Sequence, residues 1–157
     1  AESDPNVIYA RTGEAFIRGN TMPGKRLYRS TDASKTWKFI GLGEAQTISE
    51  IAVHPKDPDL VYAAVFGHVF GSNPERGIYR SKDGGKTWQK VLYVNEKTGG
   101  IDIVLDPMNP RTIYKSSRRH TVAGNALFIK TYRLATSRTH ENSVYICFMV
   151  ENKGVVH

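Results

Sequence analysis

The sequence predicts an all-β fold, a partial β-propeller built from four-stranded antiparallel blades. A phrase with Ser, Asp, Thr and Trp occurs twice, and its serines, Ser30 and Ser81, are 51 residues apart. Tyr9, Tyr62 and Tyr114 close three similar apolar phrases at steps of 53 and 52 residues. Within one period, four short strand-like runs alternate with clusters of Pro, Gly, Asn and Asp. Such a repeat of four strands and tight turns is typical of propeller blades.

Four regions follow from this period. Residues 1–47 form a partial first blade with the repeated phrase at 30–37, and residues 48–98 form a complete second blade with the phrase at 81–88. Residues 99–114 begin a third blade. Residues 115–157 are a divergent basic tail in which "NALFIKTYRL" and "SVYICFMV" favour two strands.

The strands of the second blade are assigned from their patterns. "SEIAV" alternates, "LVYAAVF" is a continuous apolar run, "GIYRS" is short and alternating, and "WQKVLYV" is aromatic and β-branched. Their inward positions predict a largely buried core, with Trp37 and Trp88 at equivalent positions between blades. The predicted core comprises Ile51, Val53, Val61, Tyr62, Ala64, Ile78, Trp88, Val91, Ile101, Ile103 and Leu105.

The repeated phrase is interpreted as a structural staple of each blade. The aspartate can accept hydrogen bonds from backbone N–H groups of its own turn, with the serine assisting. Glycine supplies the positive φ of the turn, and the tryptophan then opens the next strand. The first copy has Ala33 and Ser34 where the second has two glycines, which costs about 1 kcal/mol and predicts a looser first hairpin. The structural residues assigned are Ser30, Asp32, Thr36, Trp37, Ser81, Asp83, Gly85, Thr87 and Trp88.

Composition narrows the classes of function. The net charge is +7, but +5 of it falls in the last 43 residues, so the charge belongs to the tail. This distribution favours a solvated tail and argues against a nucleic-acid partner. Cys147 is the only cysteine, which excludes an internal disulfide and a cysteine metal cluster. No apolar run reaches the roughly 20 residues that span a bilayer. No signal peptide is visible, and the chain is expected to be a piece of a longer protein or a mature product.

The phrase from Ser81 to Trp88 resembles the Asp-box, or BNR repeat, of sialidases, family-74 glycoside hydrolases and sortilin-type VPS10 propellers. The longer run from "GHVFGSNPERG" to "PRTIY", with "TGEAFIRGN" and "HPKDPDLVYAA", is most similar to bacterial sortilin-like propellers, often labelled glycosyl hydrolase BNR repeat proteins. The resemblance covers about residues 5–114 and implies an extracellular or periplasmic β-propeller. Arg11 and Arg26 depart from the glycines usual in that family, and no third copy of the phrase follows Tyr114.

No catalytic constellation is visible in the sequence. The acidic candidates for a glycosidase pair are Glu14, Glu44, Glu50, Glu75 and Asp102. Glu50 and Asp102 occupy equivalent repeat positions, which indicates a role in each blade rather than a unique acid and base. The five histidines lack short ligand spacing, so no metal site is predicted, and no cofactor is expected.

The sequence therefore predicts a non-enzymatic module that binds a protein or peptide. The alternative is a fragment of a BNR-repeat glycoside hydrolase whose catalytic residues lie outside this chain. The candidate binding segments are the loop from Gly67 to Gly77 and residues 12–20, which carry Glu14, Arg18, His68, Glu75 and Arg76. Remaining blades of a longer parent chain are further expected partners, and open blade edges predict self-association.

Overall fold

A computed structural model describes residues 1–13, 24, 27–68, 71–105, 113–123 and 126–134, with side chains described up to residue 105. Its strands form three antiparallel sheets. The first sheet contains β1 (Ile8–Arg11), β2 (Leu27–Ser30) and β3 (Lys38–Phe39), in that order. The all-β, antiparallel class predicted from the sequence is confirmed.

The second sheet has four strands in chain order, and a short 3₁₀ turn (Gly43–Ala45) precedes it. Its strands are β4 (Ile48–His54), β5 (Asp57–Val65), β6 (Gly77–Ser81) and β7 (Gln89–Leu92). Neighbours pair antiparallel, as expected of strands joined by tight turns, and Val61 of β5 lies opposite Ser81 of β6. No helix among the described residues has the length and apolar character that crossing a membrane requires.

The third sheet contains β8 (Thr98–Leu105), β9 (Ile113–Ala123) and β10 (Ala126–Leu134). Its order is β10-β9-β8, and both pairings are antiparallel. β9 crosses residue 115, where the composition of the chain changes. The strand-like run "NALFIKTYRL" coincides with β10, whereas "SVYICFMV" lies outside the described residues.

The core lies between neighbouring sheets, and β5 contributes to it on both faces. Ala63 and Val65 face the first sheet, where they join a buried cluster with Leu27 and Ile40. The alternate residues Tyr62 and Ala64 join Ile78 and Ile103 in a second cluster toward the third sheet. This alternation follows from the two-residue period of a strand, because successive side chains point to opposite faces.

The core prediction is partly correct. Val61, Tyr62, Ala64, Ile78 and Ile103 are buried. The other members of the predicted core are half-buried, namely Ile51, Val53, Trp88, Val91, Ile101 and Leu105. The prediction included Ile51 and Trp88, which pack against the cluster toward the first sheet, but it missed the buried members of that cluster.

Polar contacts also join the first two sheets, and two of them reach the start of β5. The Tyr9 hydroxyl donates to the backbone oxygen of Pro58 at 2.8 Å. Arg29 forms an ion pair with Asp59, the next residue of that strand. Burial raises the pKa of Tyr9 to about 12, so its hydroxyl stays protonated and able to donate well into the alkaline range.

Candidate functional site

The first repeated phrase folds into a hairpin held by its own side chains. Asp32 accepts hydrogen bonds from the Thr36 backbone N–H at 2.9 Å, the Thr36 hydroxyl at 2.6 Å and the Ser30 hydroxyl at 2.8 Å. The Ser30 hydroxyl oxygen also accepts from the backbone N–H of Ser34 at 2.9 Å. The hairpin therefore uses the serine and threonine side chains as well as the backbone groups expected from the sequence.

The second phrase repeats this network atom for atom. Asp83 accepts from the Thr87 N–H at 2.9 Å, the Thr87 hydroxyl at 2.6 Å and the Ser81 hydroxyl at 2.7 Å. The Gly85 N–H donates to the Ser81 hydroxyl oxygen at 2.7 Å. Each serine hydroxyl thus donates to a carboxylate rather than to a histidine base, which is not the geometry of an activated nucleophile.

These hydrogen bonds favour the charged form of both carboxylates. The Thr36 hydroxyl makes the largest contribution to lowering the pKa of Asp32 to about 2, and the Thr36 backbone N–H and Ser30 add to it. The Thr87 hydroxyl makes the corresponding contribution at Asp83, whose pKa is also well below its usual range. Both groups are therefore anions at neutral pH, and they cannot serve there as proton donors.

The backbones of the two hairpins also donate to equivalent positions of the repeat. The Ala33 N–H donates to the Asn6 carbonyl at 3.1 Å, and the Gly84 N–H donates to the Asp59 carbonyl at 2.9 Å. Both receiving residues follow an Asp-Pro pair. The repeat seen in the sequence is therefore also a repeat of individual hydrogen bonds.

The loop from Gly67 to Gly77 is organised around Arg76, whose side chain is fully buried. The guanidinium donates from Nη2 to the carbonyls of His68 at 2.6 Å and Gly71 at 3.0 Å. It also lies 5.0 Å from the centre of the Phe66 ring. Burial lowers the pKa of Arg76. The guanidinium of Arg76 therefore lies inside the loop and connects the end of the loop to residues near its start.

Two of the other charged residues predicted for ligand binding, Glu75 and His68, lie in the same loop as Arg76. Glu75 accepts a 2.8 Å hydrogen bond from the Tyr79 hydroxyl, and burial is the main reason that the pKa of Tyr79 is raised. His68 is half-buried at the start of the loop. Glu14 and Arg18 lie outside the described residues. The structure thus brings His68, Glu75 and Arg76 together in one loop.

The remaining acidic candidates are distributed over separate elements. Glu44 lies in the 3₁₀ turn, and Glu50 lies in β4, where its carboxylate accepts from the Ile51 N–H at 3.2 Å. Asp102 is exposed on β8, the strand that packs beside β4. The described residues contain no group of three or more His, Cys, Asp or Glu side chains able to hold a metal ion.

One feature that the sequence did not reveal is a cleft of about 600 Å³ between the first sheet and the second hairpin. Lys38 and Phe39 of β3 line one side, and Lys86 and Trp88 line the other. These residues are distant in the sequence, so only the packing of one sheet on the next brings them together.

Comparison with curated proteins identifies xyloglucanases as relatives. The chain is 31% identical over 81% of its length to a xyloglucanase of a Paenibacillus species and 29% identical over 83% to a xyloglucanase of Acetivibrio thermocellus. It is 30% identical over 64% of its length to a probable oligoxyloglucan-reducing end-specific xyloglucanase of Neosartorya fischeri. The chain spans only 12% to 15% of the length of these relatives. No protein-family model matches it.

Among solved structures, the chain is similar to a GH74 enzyme of Niastella koreensis, with a TM-score of 0.54. The match covers 85% of this chain and 18% of that structure at 18% identity, so it bears on the fold alone. That enzyme has a β-propeller fold, and the prediction of a partial β-propeller is confirmed.

These comparisons correct the function predicted from the sequence. The main prediction, a non-enzymatic module that binds a protein or peptide, is wrong, because the relatives are named xyloglucanases. The error arose because the repeated phrase belongs to the hairpin and is shared by propellers with different activities. A motif that stabilises a hairpin indicates the fold of the blade, but it does not indicate what the protein binds.

Proposed function

We propose that this chain is a segment of a β-propeller glycoside hydrolase that acts on xyloglucan. The observation that carries the proposal is the similarity of 29% to 31% to three xyloglucanases over 64% to 83% of the chain. Since the chain spans so little of those proteins, the complete enzyme would need further blades. The Ser-Asp-Thr hairpins would then be the Asp-boxes of this propeller, with a structural role.

The catalytic carboxylates are proposed to lie outside this chain. Hydrolysis of a glycoside requires two carboxyl groups roughly 5–10 Å apart with different protonation states. Asp32 and Asp83 are held as anions by their own hairpins, and Glu75 is bonded to Tyr79. Glu50 and Asp102 occupy the same place in successive repeats, as expected for a role in the blade.

A polysaccharide substrate implies that the enzyme meets it outside the cytoplasm, so we propose an extracellular or periplasmic location. The remaining blades of the parent protein are the proposed partners of this segment. They would supply the further blades that a closed propeller requires. Assignment to the bacterial sortilin-like branch stays a prediction, to be tested on a longer sequence of the parent protein.

The experiment is to express the complete parent reading frame and to measure the release of reducing ends from xyloglucan. A β-glucan that lacks xylosyl branches is the control substrate. We expect the parent to hydrolyse xyloglucan and the 157-residue chain alone to be inactive. A parent without activity on xyloglucan would contradict the proposal.

The location of the catalytic pair is tested in the parent protein with Glu50→Gln and Asp102→Asn. Both variants should retain the rate of the parent within a few-fold. A catalytic acid or base contributes about 10²–10⁴ to the rate. A loss of that size in either variant would move one catalytic carboxylate into this chain and would contradict this part of the proposal.

A further inference from the structure

The cleft between the first sheet and the second hairpin has the size of a ligand site. Its volume is about 600 Å³, within the roughly 300–1,000 Å³ common for small-molecule sites. β3 and the residues after it form one wall, and the turn of the second hairpin forms the other. Both walls belong to described residues, and the two sheets share a buried cluster that keeps the walls together.

The charge of the cleft is positive. Arg29, Lys38 and Lys86 line it, and none of its lining residues is acidic. Arg29 is paired with Asp59. Lys38 and Lys86 are exposed, and within the described part of the chain neither has an ion pair with a carboxylate. An anion in the cleft would therefore meet two ammonium groups, one from each wall.

The cleft also has aromatic surfaces with fixed positions. Trp88 is half-buried, and its indole N–H donates to the Ile40 carbonyl at 2.6 Å, which holds the ring against the first sheet. Phe39 is 46% exposed and packs edge-on against Tyr28 at 6.2 Å between ring centres. Rigid aromatic rings of this kind give a flat apolar ligand face a surface to pack on.

We propose that this cleft binds an acidic saccharide, a uronate residue of an oligosaccharide. A sugar ring has an apolar C–H face that packs on the indole of Trp88, and its carboxylate is bound by Lys38 and Lys86. A neutral sugar would use only the aromatic surface, and a simple inorganic anion would use only the lysines. The uronate matches both properties of the cleft. Binding in this cleft does not depend on the proposed hydrolytic activity.

Trp88 supplies a direct measurement of binding. The chain has two tryptophans, and Trp37 does not line the cleft. In a Trp37→Phe background, fluorescence therefore reports Trp88 alone. Titration with tetragalacturonate at low salt should give a saturable change, whereas a neutral galactose oligomer of the same length should bind at least about tenfold more weakly, the equivalent of one charge-assisted hydrogen bond. Calorimetry of the unsubstituted chain provides an independent affinity.

The lysines are tested with K38Q and K86Q combined. This variant should bind tetragalacturonate at least about tenfold more weakly, since it loses two charge-assisted contacts. The matched control is K56Q combined with K82Q, which removes two exposed lysines outside the cleft and should leave the affinity unchanged. All four changes are on the surface, and thermal unfolding of each variant verifies that the fold is retained.

Three results would overturn the proposal. They are equal affinity for the charged and neutral oligomers, an unchanged affinity in the K38Q and K86Q variant, and no saturable binding of tetragalacturonate at all. A fourth arm uses a tetra-aspartate peptide. Tighter binding of this peptide than of tetragalacturonate would assign the cleft to an acidic protein segment and would also overturn the saccharide proposal.

Discussion

The two hairpins of this protein have the same internal hydrogen bonds and different surroundings. Asp32 and Asp83 each accept three equivalent bonds within their own hairpins. The second hairpin packs on the first sheet, so Trp88 joins the buried cluster there. Trp37 is 43% exposed. The prediction that both indoles occupy equivalent positions between sheets is therefore correct only for Trp88.

The turn residues of the two hairpins also differ in their contacts with the neighbouring sheet. A Cβ atom at Gly85 would lie 2.5 Å from Ile40 Cδ1 of the neighbouring sheet, and the φ there is +92°. Ala33 and Ser34 adopt the same left-handed conformation with φ values of 56° and 69°, despite their Cβ atoms. Glycine in the second turn thus serves two purposes, conformation and close packing. The first turn shows that the conformation alone does not require glycine.

The largest expected difference between the hairpins concerns the tryptophans. Trp88→Ala should lower the free energy of unfolding by about 3 kcal/mol, because it removes a ring from the cluster between the sheets. Trp37→Ala should change it by about 0.5 kcal/mol or less, as is usual at exposed positions. Urea unfolding of both variants tests this. Equal losses would mean that the indoles have equivalent roles after all.

The second largest expected effect is that of replacing the glycine in the turn of the second hairpin. Gly85→Ala should lower the free energy of unfolding by about 2 kcal/mol, because the new methyl group is strained at positive φ and contacts Ile40. Ser34→Ala is the matched control and should change it by no more than about 0.5 kcal/mol, since that site already has a Cβ atom. The same urea titrations provide the values. A tolerated Gly85→Ala would show that the contact with Ile40 relaxes without cost.

Acid should affect the two hairpins alike, because their hydrogen bonds are local. Asp32 has a pKa of about 2 in the folded chain and 3.8 as its ordinary value, so its contribution is complete above about pH 4. That contribution is lost as the pH falls toward 2, when the carboxyl group becomes protonated. Melting temperatures measured from pH 5 to pH 2 should decline less steeply, by similar amounts, in Asp32→Asn and Asp83→Asn. A response confined to one variant would contradict the equivalence.

The smallest effect is a gain in stability. Ser34→Gly should raise the free energy of unfolding by about 0.5 kcal/mol, because relief of the strain at positive φ exceeds the entropy that glycine loses on folding. The Ser34 N–H bond to Ser30 is kept. Thermal unfolding beside the unsubstituted chain measures the change. A lower melting temperature would indicate that the serine side chain has a stabilising contact of its own.

The sequence predicted those features that repeat and depend on neighbours in the chain. The spacing of Tyr9 and Tyr62 indicated the strands β1 and β5, and the continuous apolar run "LVYAAVF" agrees with the burial of β5 on both faces. The ion pair between the first two sheets was beyond its reach, since Arg29 and Asp59 are 30 residues apart and no local pattern joins them. The buried position of Arg76 was unexpected too, because charged residues in loops are usually exposed.

The candidate site was predicted less well than the fold for a physical reason. The repeated phrase is conspicuous because each hairpin must satisfy the same backbone groups, and this requirement is independent of any ligand. Lys38 directly follows the first copy of the phrase and Lys86 lies inside the second copy, but the two line one cleft only because two sheets have packed. A sequence pattern reveals what each hairpin needs in order to fold. A site that forms where two repeats pack together produces no pattern of that kind.

The start of β5 at Pro58 and Asp59 has a consequence for the order in which repeats can follow one another. It receives Tyr9 and Arg29 from the unit before it. One repeat later, Arg80 stands in the place of Arg29, but the counterpart of Asp59 in the sequence is Arg111. The same ion pair is therefore not available to the next junction. A shuffled protein that placed the third unit directly after the first would leave Arg29 without its aspartate partner, so the units are not interchangeable.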